Sequence, residues 1–151
     1  MTTTTSKTEN ALALLAAEMA PLTDEVRTLQ ARLTEIAKLR RDVRARVAMA
    51  LHRDAMLNLS DHLKTGGTVT VTRKAYSTLA ILDGVDRDYP AVTGPVVAVQ
   101  PNGRKHVGLW VKFPGSGQTW LSAADLAGFR YEITVNGSPY RMPALPAWAK
   151  V

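Results

Sequence analysis

Leu22, Val26, Leu29, Leu33 and Ile36 stand four, three, four and three residues apart. That is the heptad spacing that lines one side of an α-helix with an apolar seam. The next seam position is Arg40, an exception, and Val43 and Val47 resume the pattern. Leu51, Leu57, Leu59 and Leu63 continue it less regularly, and Lys64-Thr65-Gly66-Gly67 supplies a basic last turn followed by glycine, a stop signal. A helix from Leu22 to Lys64 is about 65 Å long at about 1.5 Å per residue. A small domain cannot cover a seam of that length, so the seam needs another helix, either the segment before Pro21 or a second copy of the chain.

Ahead of the seam, Ser6-Lys7-Thr8-Glu9 matches a capping box, and Leu12, Leu15 and Met19 follow at helical spacing. Pro21 then predicts a kink or a fresh start, because proline removes an amide donor and crowds the preceding turn. Thr23, Asp24 and Glu25 suit the first turn of a second helix. Residues 1–7 read as a disordered leader without the basic start and cleavage site of a signal peptide. The longest apolar stretch, Ala11 to Ala17, is far short of the roughly 20 residues that span a bilayer. The chain has no cysteine, which removes disulfides, thiolate metal sites and cysteine nucleophiles and fits a reducing compartment.

The second half changes period. Thr68 to Thr72 alternates as a strand with one buried face. A long irregular loop is expected from Tyr76 to Ala91, then strands at Val92–Gln100, Val107–Phe113 and Gln118–Leu121. Pro101-Asn102-Gly103 and Pro114-Gly115-Ser116-Gly117 separate them as turns. Ser122 to Leu126 reads as one helical turn and Phe129 to Val135 as a fifth strand. Asn136-Gly137 is a hairpin turn leading into Ser138–Met142.

This order of strand, long loop, three meandering strands, helical turn and last strand resembles the SH3-like small β-barrel. The stretch Val111-Lys112-Phe113-Pro114-Gly115-Ser116-Gly117-Gln118-Thr119-Trp120-Leu121, with Asp125-Leu126, resembles the end of its Tudor-like and KOW-like members. The expected fold class is α+β: a long N-terminal helix or helical hairpin, coiled-coil-like, followed by an SH3-like antiparallel barrel. The expected segments are a helical region at 8–65, a barrel with an added hairpin at 66–142 and an extended proline-rich tail at 143–151. The resemblance implies a range of uses, in RNA binding, chromatin reading, peptide binding and phage head–tail connectors, and does not choose among them.

The sequence carries none of the common catalytic motifs. There is no phosphate-cradling Gly-x-x-x-x-Gly-Lys loop and no His-Glu-x-x-His pair, and His52, His62 and His106 are too dispersed to predict a metal site. Ser60-Asp61-His62 holds triad residue types, but adjacency in sequence is not convergence in space. Asp83, Asp86 and Asp88, with Tyr89, miss the calcium-loop spacing. The SH3 resemblance offers them a role as a ligand loop for basic groups of proline-rich peptides, and plain solvation is the alternative. Pro143-Ala144-Leu145-Pro146, after Arg141, is itself a Pro-x-x-Pro segment that such a barrel, its own or a neighbour's, can dock.

The net charge of +6 favours polyanions or acidic protein surfaces. Lys38, Arg40, Arg41, Arg44 and Arg46 crowd one helical stretch, and Arg73, Lys74, Arg104, Lys105 and Lys112 extend the basic set into the barrel. Trp110 and Lys112 point away from the Val107-Leu109-Val111-Phe113 face, an arrangement suited to base stacking plus phosphate contact, to a protein interface, or to packing on the chain's own helix. The helix charges have a second reading. Between Glu9 and Glu35, the acids Glu9, Glu18, Asp24, Glu25 and Glu35 outnumber the bases Arg27 and Arg32. Between Ile36 and Arg53, Lys38, Arg40, Arg41, Arg44, Arg46 and Arg53 stand against the single acid Asp42. That order complements the helix dipole and favours antiparallel pairing of two copies.

The sequence therefore predicts a non-enzymatic assembly protein without cofactor or metal. It is expected to oligomerise through Leu22, Val26, Leu29, Leu33, Ile36, Val43 and Val47 and to contact a larger complex through its barrel. The expected location is the cytoplasm, or a virion if the chain is phage-encoded. A nucleic-acid-binding module and a peptide-binding adaptor are the alternatives.

Overall fold

The computed structural model describes the backbone of residues 2–150 and the side chains of 6–150. Met1 of the expected leader and Val151 of the expected tail lie outside the described residues. The fold is α+β: one long N-terminal helix followed by a mostly antiparallel sheet. Two compact units divide the chain, one ending at Val43 and one beginning at Arg44.

Among the described residues the first unit is all helix. Helix α1 (Thr2–Lys64) starts before the Ser6 box and includes Thr2–Lys7, so the leader is not set apart from it. Pro21 does not end the helix either. Proline inside a helix costs about 3 kcal/mol through a lost donor and a clash. Here the flanking pattern opposes a break, because Leu12, Leu15, Met19 and Leu22 are spaced three, four and three apart and run directly into the seam. The heptad register is therefore continuous from Leu12 to Val43, with Arg40 its one polar position. Hydroxyls on this stretch bond back to the helix: Thr23 donates to the Met19 carbonyl and Thr28 to that of Asp24, both at 3.0 Å.

The second unit takes in the end of α1 and the sheet. Strands β1 (Val69–Arg73), β4 (Val92–Gln100), β5 (Gly108–Lys112), β6 (Gln118–Ser122), β7 (Tyr131–Val135) and β8 (Ser138–Tyr140) form a sheet in the order β6-β5-β4-β1-β7-β8. Every pairing is antiparallel. Between β1 and β4 the expected loop is a separate hairpin, β2 (Tyr76–Leu79) on β3 (Asp86–Tyr89), with Tyr76 opposite Tyr89. Its polar β3, Asp-Arg-Asp-Tyr, lacks the apolar alternation that marks a half-buried strand, because no β3 residue is buried.

Alternation places the core. Val69 and Val71, Leu109 and Val111, and Ile133 and Val135 are buried on one face, joined by Val96, Phe113, Leu121 and Leu126. Ala55, Met56 and Leu59 of α1 complete the cluster, with Met49 and Leu63 at its margin. These residues do not continue the heptad seam. The seam positions after Val47 would be Ala50, Asp54 and Leu57, and all three are exposed. The helix ends where Gly66 takes a φ of 84° and the Gly67 amide donates to the His62 carbonyl at 2.8 Å.

Two local devices fix the rest. Helix α2 (Ala123–Ala127) opens on a reciprocal capping box in which the Asp125 amide donates to Ser122 Oγ and the Ser122 amide to the Asp125 carboxylate. Asn136 and Gly137, at φ of 51° and 82°, make the left-handed turn between β7 and β8. Asn136 Oδ1 also accepts from the Thr68 amide at 2.9 Å, tying that turn to the start of β1. The tail is not extended to its end: Ala147–Lys150 forms a helical turn, α3, with Ala149 buried.

Candidate functional site

The helix seam is open to solvent in the first unit. Leu22, Val26, Leu29, Leu33 and Ile36 are 49–65% exposed, Leu12, Leu15 and Met19 are similarly open, and Val43 is 39% exposed. Val47, half-buried, falls in the second unit. From Leu12 to Val43 the seam residues thus share one unbroken helical register, and each apolar one is exposed.

The basic residues are not one stripe. Lys38, Arg40, Arg41 and Arg46 are exposed on α1. Arg44 is committed elsewhere: its Nε donates to the Ala149 carbonyl at 2.8 Å and its Nη2 to the Lys150 carbonyl at 2.9 Å. A guanidinium at the carbonyl end of a helical turn satisfies acceptors left open there. Arg73 is half-buried, with its guanidinium 5.8 Å from the ring centres of both Tyr76 and Phe113. Its Nε is buried without a hydrogen-bond partner among the described residues. Lys74 pairs with Glu132 at 3.2 Å. Arg104 and Lys105 are exposed between β4 and β5.

On β5 the outward residues are Trp110 and Lys112, with Leu109 and Val111 buried behind them. Trp110 stands opposite Trp120 of β6, ring centres 5.4 Å apart and tilted by 58°. The strand pattern of β5 alone leaves out Trp120, although the two tryptophans each stand five residues from Gly115. That mirror spacing is a readable signal.

The acidic loop residues are distributed along the β2–β3 hairpin. Asp83 is paired with Arg87 at 2.8 Å, and Asp86 and Asp88 are exposed on β3. Tyr89 stacks on Tyr76, ring centres 4.6 Å apart and 10° from parallel, and the Arg130 guanidinium lies 4.7 Å from the Tyr76 ring centre. Tyr76 and Arg130 were invisible as partners in the sequence, since long-range pairing alone joins them. The hairpin tip carries Ile81 and Leu82, 97% and 98% exposed.

Among the described residues no group of three or more His, Asp or Glu side chains is placed to hold a metal ion. Among them, too, no helix is long and apolar enough to cross a membrane. His52, half-buried on α1, has its pKa pushed below the ordinary histidine value because burial penalises the charged ring. Comparison with known protein families, with curated proteins and with solved structures finds no match.

Proposed function

We propose that this chain is a non-catalytic assembly protein. It self-associates through the helix seam as a coiled coil and contacts a larger complex through its C-terminal unit, which we read as an SH3-like barrel. The observation that carries this reading is the seam itself: from Leu12 to Val43, nine of ten consecutive heptad positions are apolar, and all nine are open to solvent. Removing such side chains from water stabilises an association by about 1–2 kcal/mol each, at roughly 25 cal/mol per Å² of apolar surface. A long, regular apolar stripe of this kind is what a helix presents to another helix.

The hairpin tip supports the second half of the reading. Ile81 and Leu82 project from the β2–β3 hairpin with almost no cover, as an apolar contact point for another protein. A phage structural component acting in a virion is the special case that the barrel resemblance suggests, and a cytoplasmic assembly is the general one.

The test is the mass of the full chain in solution, compared with that of a Leu22→Asp, Leu29→Asp double variant. The expected result is an oligomer reduced to single chains by the substitutions, with the thermal transition of the C-terminal unit retained. A wild-type chain that stays single at high concentration overturns the reading.

A second reading, a nucleic-acid-binding module, is favoured by the Trp110–Trp120 pair beside Lys112, where aromatic faces and a cation lie on one surface. It predicts binding to single-stranded DNA or RNA that weakens linearly with salt on a log–log plot and is lost in Trp110→Ala. No binding at low salt removes it.

A further inference from the structure

We infer that the seam's partner is a second copy of this chain, lying antiparallel, in the register that sets Val26 opposite the partner's Leu29. This rests on the assembly reading above, which already makes the partner a second copy, and adds to it the direction and alignment of that copy.

The register follows from the seam. With the two-fold axis between Val26 and Leu29, Leu22 meets the partner's Leu33, Met19 the partner's Ile36, Leu15 the partner's Arg40 and Leu12 the partner's Val43. The symmetry repeats each pair, so all ten seam positions from Leu12 to Val43 are used and none is left over. All of them belong to the first unit.

Charge selects this register over its neighbours. Flanking the seam, seven residues apart, are Glu18, Glu25, Arg32 and Leu39. A two-fold axis perpendicular to the helix sets this flank against itself, and flanking charges decide partner and orientation in helix pairs. In the proposed register Glu25 faces the partner's Arg32, and by symmetry Arg32 faces the partner's Glu25. Sliding by one heptad in one direction sets Arg32 against the partner's Arg32. Sliding the other way sets Glu25 against the partner's Glu25. A parallel, in-register pair is worse in a different way. It stacks Arg40 on the partner's Arg40 inside the apolar seam, and it sets Glu25 and Arg32 against the partner's uncharged Gln30 and Ala37.

The wider charge pattern agrees. Residues 12–25 contain three acids, Glu18, Asp24 and Glu25, and no base. The segment they face, 30–43, contains Arg32, Lys38, Arg40 and Arg41 against Glu35 and Asp42. Antiparallel pairing lays the acidic stretch on the basic one at both ends. It also places each Arg40 opposite a leucine, from which its long stem can carry the charge out to water.

The test uses the full chain, whose lack of cysteine allows single labelling sites. Spin labels on Ala17→Cys and, separately, on Ala31→Cys report the distance between the two copies. The proposed register separates the labels along the axis by about 31 Å at position 17 and about 10 Å at position 31, from a rise of about 1.5 Å per residue. Similar distances at both positions mean parallel pairing and overturn the inference while leaving the assembly reading standing. A one-chain mass overturns both. As an independent readout, Glu25→Arg and Arg32→Glu each weaken self-association by about tenfold, and the double variant recovers it, because each swap alone creates like-charge contacts. Failure of the double variant to recover overturns the register.

Discussion

Arg44 holds Ala149. The guanidinium donates at 2.8 Å to the Ala149 carbonyl and at 2.9 Å to the adjoining Lys150 carbonyl, so one charged fork closes the open end of α3 across more than a hundred residues of chain. Arg44→Gln is expected to cost about 1 kcal/mol, since the fork is partly solvated. Hydrogen exchange at 147–150 should accelerate, and the emission of Trp148 should shift, while the sheet keeps its protection. Unchanged exchange at those amides would show that the fork does not hold the turn.

Met56 and Leu59 are fully buried and belong to the same core as Val71, Leu109 and Val111. Leu59→Ala should therefore destabilise the C-terminal unit by about 2–5 kcal/mol, the cost of an internal cavity. Chemical denaturation followed by the tryptophans checks it. A loss under about 1 kcal/mol would mean that the end of α1 is a peripheral layer and not part of the core.

The pH dependence has a defined sign. The folded pKa of His52 is below its unfolded value because burial disfavours the charged ring. The unfolded chain therefore takes up a proton first as pH falls. Stability is fully retained above the ordinary histidine pKa, declines below it, and levels once pH falls beneath the folded pKa. Denaturation midpoints between pH 7 and 5 should fall in the wild type and fall less in His52→Gln. Identical slopes would assign the decline to other groups.

Ile81→Asp and Leu82→Asp should leave the thermal transition within about 0.5 kcal/mol of wild type, because neither side chain contributes to packing. The same pair should abolish any contact made through the hairpin tip. A large loss of stability would show that the tip is covered by the protein itself.

Legibility followed the range of the interactions. The seam, the period-two strands, the helical turn at Ser122–Leu126 and the Asn136–Gly137 turn depend on neighbours within a few residues, and each was readable. The core face of α1 was not, because Met49, Met56, Leu59 and Leu63 leave the heptad register to meet a sheet that the helix sequence does not reveal. Pro21 was read by its local cost alone, whereas the spacing of Met19 and Leu22 across it preserves one helical register. The β2–β3 hairpin was missed because an exposed ribbon has no buried face to impose alternation. Among the candidate contacts, Arg44, Arg73 and Lys74 read as free cations only until their partners, Ala149, Tyr76 with Phe113, and Glu132, were placed beside them.

Self-association is tested most directly by sedimentation of the unlabelled full-length chain over a wide range of concentration. A paired seam predicts a mass that is a multiple of the 16.4 kDa chain and falls towards one chain on dilution or in the Leu22→Asp, Leu29→Asp variant. A single-chain mass at every concentration would contradict it.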